Sequence, residues 1–169
     1  MGDVEFCELF PGEKFAYRIC NRSGKAPGVF VVNGWSGIME DFDDLPERLA
    51  KEGDRPVMVF DNRGLGKSVV TPGPYSMEQI ATDAYELAKR IFLPLNPNGF
   101  HLFGISMGGM ICQTITAQKD VSFILSVILG CTAPGLHSVA PPEDSIIAMT
   151  QPDPSWSKEQ KARSALEVW

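Results

Sequence analysis

The sequence predicts an α/β fold: a mostly parallel sheet with helices on both faces. Three observations point there. Between residues 29 and 129, short apolar runs rich in β-branched residues alternate with segments of helical period. Those runs are continuously apolar rather than alternating, as expected of strands covered on both faces. Three of them end in glycine-rich loops: Asn33-Gly34-Trp35-Ser36-Gly37, Asp61-Asn62-Arg63-Gly64-Leu65-Gly66-Lys67-Ser68, and Gly104-Ile105-Ser106-Met107-Gly108-Gly109.

Taken in order, residues 4–9 and 15–20 are two short strands joined by a Pro11-Gly12 turn, a hairpin. Residues 21–27 are a polar loop and 29–32 a buried strand. A helix follows, with Asp44 and Glu47 as a capping-box-like pair, Pro46 in its first turn, Leu45 and Leu49 facing inward and Gly53 closing it. Residues 57–60 are the next buried strand, and 71–74 a turn. Ser76, with Gln79 three residues on, caps a helix whose apolar positions are Met77, Ile80, Ala81, Ala84, Leu87, Ala88 and Ile91, and Pro94 ends it. A strand from His101 runs into the third glycine-rich loop. The helix after it spans 107–118 with Met110, Ile111, Thr114 and Ile115 inside, and 123–129 is the most apolar strand. Beyond Gly130 the chain becomes proline-rich and irregular. One helical turn is expected near 145–150, and a last helix is capped by Ser157 and Gln160, with Ala162, Ala165, Leu166 and Trp169 as its stripe.

Bulk properties exclude several classes of function. The 169 residues carry a net charge of −6 without a Lys/Arg cluster, which argues against nucleic acid or an anionic membrane as partner. No apolar run reaches the roughly 20 residues that span a bilayer. The acidic start, Met-Gly-Asp-Val-Glu-Phe, is not a signal peptide, and Phe6 stands where a myristoylation motif needs Ser or Thr. Cys7, Cys20, Cys112 and Cys131 form no Cys-x-x-Cys and read as isolated small residues in a reducing compartment. A cytoplasmic location is the expectation.

The chemistry concentrates at Ser106. Gly104 and Gly108 flank it where a tight strand-to-helix turn leaves no room for a β-carbon. The turn pushes the hydroxyl above the sheet edge and points the N–H groups of the next helix at the same spot. With the Asn33-Gly34-Trp35 loop and the Asp61-x-Arg63-Gly64-x-Gly66-x-Ser68 loop in the same order and at similar spacing, the chain resembles the α/β-hydrolase fold family. It is most similar to the soluble branch with enol-lactonases, carboxylesterases and other small-ester hydrolases. The resemblance covers essentially the whole chain but only the first part of the family's fold. It implies a hydrolase core truncated after the sixth strand over residues 1–134, and the start of an incomplete cap over 135–169.

That resemblance implies a serine hydrolase acting on a small carboxylic ester or lactone, with Ser106 as nucleophile and the backbone amides of Trp35 and Met107 as the oxyanion hole. Asn33 replaces the family's usual histidine in the first loop. Asp61 and Arg63 are implied to fix the top of their strand rather than to catalyse. Gly64–Ser68 lacks the spacing of a phosphate loop. No metal or organic cofactor is implied.

The base is the gap. His101 starts the strand that ends at Ser106, roughly 16 Å away at the wrong end of the sheet. His137 lies in the proline-rich stretch, and Glu143 and Asp144 cannot be assigned a role. An uncharged edge strand over 123–129 and an uncapped last helix lead to the expectation that the chain is the N-terminal section of a larger hydrolase, with low or no activity by itself. Its partners would be the small substrate and either a complementing C-terminal segment or a second copy on the edge strand. A non-catalytic binding or assembly module and a hydrolase-like acyltransferase or peptidase are the alternatives.

Overall fold

The computed structural model describes residues 2–42 and 44–134. The proline-rich stretch, the turn near 145–150, the Ser157/Gln160 cap, the cap segment, His137, Glu143 and Asp144 all lie outside the described residues.

Six strands form one sheet: β1 (Glu5–Phe10), β2 (Glu13–Cys20), β3 (Val29–Val32), β4 (Val57–Phe60), β5 (Phe100–Ile105) and β6 (Ile124–Gly130). Their spatial order is β1-β2-β4-β3-β5-β6. The β1–β2 hairpin and the β2–β4 pair are antiparallel, whereas β4–β3, β3–β5 and β5–β6 are parallel. Helices α1 (Leu45–Glu52), α2 (Met77–Leu87) and α3 (Met107–Gln118) make the crossovers.

The alternation within β3 and β4 explains why both strands are wholly apolar. Val29, Val31, Val57 and Val59 join Met39 and Ala50 in one core on the α1 side. Phe30, Val32, Met58 and Phe60 join residues of α2 and α3 in a larger core on the other side. There Phe30 stacks on Phe60 at 5.1 Å between ring centroids, and Phe92 meets Phe100 edge-on at 5.1 Å. Right-handed crossovers put the helices on opposite faces because the winding reverses at β3. From β3 the chain moves through α1 to β4 on one side. It then crosses through α2 to β5 on the other side of β3. The crevice beyond the carboxyl ends of β3 and β5 is therefore the topological switch point, where open sheets of this kind bind ligands.

Four local expectations need correction. Asp44 makes no side-chain cap, because the chain enters α1 already turned (φ −96°, ψ −26°) from a 3-10 turn at Met39–Phe42 rather than from an extended approach. Pro46 and Ala50 are the fully buried residues of α1; Leu49 does face inward, half-buried against the same core as Ala50, while Leu45 is half-buried. The helix capped by Ser76, whose Oγ accepts from the Gln79 amide at 3.1 Å, does not run evenly to Pro94. It widens to a π turn at Ala88–Phe92 and tightens to a 3-10 turn at Leu93–Leu95, since Pro94 has no N–H to continue the ladder. On α3 the buried face is Gly108, Ile111, Cys112 and Ile115, while Met110 and Thr114 are half-buried. The helix is rotated because Gly108 must press on the backbone of β3.

Among the described residues nothing pairs with the outer side of β6. Leu125, Ile128 and Leu129 there are 47%, 50% and 46% exposed, so the apolar edge expected from the sequence is present. No described helix is long and apolar enough to cross a membrane.

Candidate active site

Ser106 joins β5 to α3 with φ 55° and ψ −122°, a region that a residue bearing a β-carbon rarely enters and that costs on the order of 1–3 kcal/mol. An ordinary serine at a helix start turns its hydroxyl onto the helix N–H groups, as Ser76 does. Ser106 makes no such bond, and among the described residues its hydroxyl is uncommitted. Its peptide is pinned from three directions. The Ser106 N–H donates to Gly130 O at 2.9 Å, and Ser106 O accepts from the Gly109 N–H at 2.9 Å and from Thr132 Oγ1 at 2.7 Å.

Close approach explains the glycines. A β-carbon on Gly104 would sit 2.7 Å from Gly109 N, and one on Gly108 would sit 2.7 Å from Asn33 O, both inside contact distance. Gly109 is equally constrained, with Thr132 side-chain atoms 2.6 Å from the same hypothetical atom. A β-carbon on Gly34 would lie against the elbow itself, 3.1 Å from Ile105 O and 3.2 Å from Ser106 Cβ. The fold thus brings the first loop and the third loop together at the switch point. Among the described residues, neither the Trp35 N–H nor the Met107 N–H donates to another group. Met107 is the first residue of α3, where the helix has no acceptor to offer. Trp35 is 67% exposed.

The second loop does different work. Asp61 is fully buried, and its carboxylate accepts from the Met39 N–H and the Lys67 N–H, each at 2.8 Å. Ser68 Oγ donates to Asp61 O at 2.6 Å and accepts from the Ala16 N–H at 2.9 Å. Arg63 forms a two-pronged bridge to Asp83 at 2.7 and 2.8 Å, a bond to Glu13 at 2.7 Å and one to Thr71 at 3.2 Å, with its guanidinium over the Phe15 ring. The Asp83 bridge holds Arg63 above its ordinary pKa, so it stays charged; burial pushes the Asp83 carboxyl up while Arg63 opposes that. Both side chains are 2% exposed. The structural reading of Asp61 and Arg63 fits this geometry.

His101 is not brought to the elbow. It pairs with Val29 at the start of β3, whereas Gly104 pairs with Val32 at its end, and its Nδ1 lies 2.8 Å from Ser126 Oγ. An open groove of about 400 Å³ lined by Phe10, Glu13, Arg63, Glu78, Gln79, Thr82 and Asp83 lies against β1 and α2, away from Ser106, and its buried charges are already paired. Among the described residues no three His, Cys, Asp or Glu side chains converge on a metal position. Burial pushes the Cys112 thiol up to about 12, while Cys131, after β6, is exposed.

Sequence reasoning did not single out Asn62, Asp83, Gly109 or Thr132. Asp83 had a signal: it is a carboxylate between Ile80 and Ala84 on the buried face of α2, where only a paired charge is stable. Thr132 and Gly109 had none, because their contact joins segments that are adjacent only across the sheet.

With that geometry in view, the class is defined. The alpha/beta hydrolase fold family matches residues 27–164, and the chain belongs to it. Among curated relatives, the proline iminopeptidase of Levilactobacillus brevis is 32% identical over 124 residues, covering 72% of this chain and 40% of the relative. That of Lactiplantibacillus plantarum is 31% identical over 149 residues, covering 85% and 50%. Of solved structures, a hydrolase from Pseudomonas aeruginosa PA01 superposes with a TM-score of 0.75 at 25% identity, covering 99% of this chain and 59% of that one. The enol-lactonase from Burkholderia xenovorans LB400 has a TM-score of 0.68 at 24% identity, covering 97% and 64%, and shows the fold. The chain spans 40% to 50% of the length of these two curated relatives.

Proposed function

We propose that the chain carries the nucleophile half of a serine hydrolase acting on a small carboxylic ester or lactone. The observation that supports this most is the strained Ser106 with its hydroxyl unused by the helix that follows. In this reading Ser106 Oγ attacks the acyl carbon and loses its proton to a base. The carbonyl oxygen becomes an oxyanion held by the Trp35 and Met107 amides, and the alkoxide leaves with a proton from the same base. Water then releases the acyl group by the reverse sequence. The base and its orienting acid come from outside residues 2–134, delivered by a complementing segment that pairs with the edge of β6 left unpaired among the described residues. Support for that is the position of His101 at the far end of β5 and the share of the relatives' length that this chain spans. Without these groups, catalysis falls to the residue left by the oxyanion hole and binding, roughly 10³–10⁴ over water.

A fluorophosphonate probe tests the nucleophile. Labelling is expected to disappear in Ser106→Ala and to persist in Ser126→Ala; labelling that survives Ser106→Ala overturns the assignment. A second reading, an aminopeptidase cleaving an N-terminal proline amide, is favoured by the proline iminopeptidases among the relatives. Release from an aryl ester or lactone, compared with release from a proline arylamide, separates the two.

A further inference from the structure

Residues 33–39, which carry the Trp35 amide, hold themselves together poorly. Among the described residues the one bond within the segment is long, from the Gly37 N–H to Gly34 O at 3.4 Å; its far end is tied to the next turn, where the Ile38 N–H donates to Asp41 Oδ2 at 2.7 Å and the Asp41 N–H to Ile38 O at 3.0 Å. Ser36 is held at φ 54°. A loop with so little of its own structure, and a strained residue in it, needs an external constraint to keep a backbone donor aimed. That constraint comes from two consecutive residues at the end of β4. At the start of the loop, Asn62 Nδ2 donates to Asn33 O at 3.3 Å. At its end, the Met39 N–H donates to Asp61 Oδ1 at 2.8 Å. Asp61 is itself fixed by the Lys67 amide and by Ser68.

We infer that Asp61 and Asn62 form a two-point clamp on this loop, and that Asn62 is a positioning residue for the Trp35 oxyanion donor; the inference rests on the hydrolase reading of Ser106. Asn62 is 1% exposed, and its Oδ1 has no partner among the described residues. Burying an amide for a single hydrogen bond is costly in a core. The polarity at this position therefore has its use at the far end of that bond, on Asn33 O. The backbone of Gly34, the next residue, runs so close to the elbow that a β-carbon there would lie 3.2 Å from Ser106 Cβ, so a shift at Asn33 changes the geometry between Trp35 N and the serine. Asn33 stands where the resemblance places a histidine, and Asn62 supplies from the loop after β4 the hold that Asn33 does not supply itself.

Two measurements on the full 169-residue chain decide the matter. The first is amide hydrogen exchange at Gly37, Ile38 and Met39. Asn62→Ala, with Asn62→Ser as the milder variant, is expected to speed exchange there about tenfold or more while the amides of β3 and β5 keep their protection. Unchanged exchange in both variants overturns the clamp, whatever the chemistry of Ser106. The second compares the rate at which Ser106 reacts with a phosphonate ester and with its thiophosphonate counterpart. Sulfur accepts hydrogen bonds poorly, so only the oxygen form draws on the oxyanion donors. The variants should lose about tenfold or more with the oxygen probe and little with the sulfur probe, shrinking the ratio. A general loosening of the fold lowers both rates together, and that result, or no change in either, overturns the positioning role. If neither probe modifies wild-type Ser106 even with imidazole added as an external base, it is the nucleophile reading that fails, and hydrogen exchange alone then judges the clamp.

Discussion

The loop after β3 and the loop after β4 look alike in sequence: each follows a four-residue apolar strand, and each is rich in glycine and polar residues. In the structure they are opposites. The loop at 61–68 is packed with bonds to other parts of the protein: Asp61 to Met39, Arg63 to Asp83 and Glu13, and Ser68 to Ala16. Among the described residues the loop at 33–37 makes few; the Trp35 N–H there has no acceptor, and Trp35 is 67% exposed. One is scaffold and the other is held by it. In the proposed function the Trp35 amide receives a transient charge; such a donor has to be unsatisfied in the resting protein, so its rigidity would be supplied from next door.

The contrast can be broken from the scaffold side first. Arg63→Ala leaves the Asp83 carboxylate buried at 2% exposure without its partner, and should cost about 3–5 kcal/mol in urea unfolding. A loss below about 1 kcal/mol would mean that the bridge is dispensable. Next come matched glycine substitutions. Gly66 has φ +52°, and a β-carbon there would run into the Asp61 carboxylate, so Gly66→Ala should cost about 2–4 kcal/mol. Gly34 lacks a positive φ and its hypothetical β-carbon is 3.1 Å from its nearest neighbour, so Gly34→Ala should cost about 1 kcal/mol or less yet slow Ser106 labelling. Equal losses at the two sites would remove the distinction between the loops.

At the elbow the sign reverses. Ser106→Gly should stabilise the chain by about 1 kcal/mol while abolishing labelling, because glycine accepts φ 55° without strain. A clear loss of stability would show that the serine side chain supports the fold. The smallest effect is expected at Trp35: with the residue 67% exposed, Trp35→Phe should move stability by no more than about 0.5 kcal/mol. A larger change in thermal unfolding would make the indole part of the core.

Much of this was legible in the residue order. The bounds of β3, β4 and α3 can be read from apolar runs and helical period, since burial on two faces needs a continuous run and burial on one needs a stripe. The elbow was legible because its steric demand is local: Gly104, Ser106 and Gly108 are close in sequence as well as in space. The Asp44 cap was misread because a capping motif describes side chains, whereas the approach of the preceding backbone decides whether they are used.

The sequence by itself determined the order of the elements, the family, and Ser106 as the residue to test. Tertiary structure alone decided which polar groups meet: Arg63 with Asp83 across 20 positions, Asn62 with Asn33 across 29, and Ser68 with Ala16 across 52. Period and turn chemistry act over a few residues, and so they leave a record in neighbouring letters. Pairings between strand ends depend on sheet order, which is set by how whole apolar faces pack together, and no single stretch of chain carries that information.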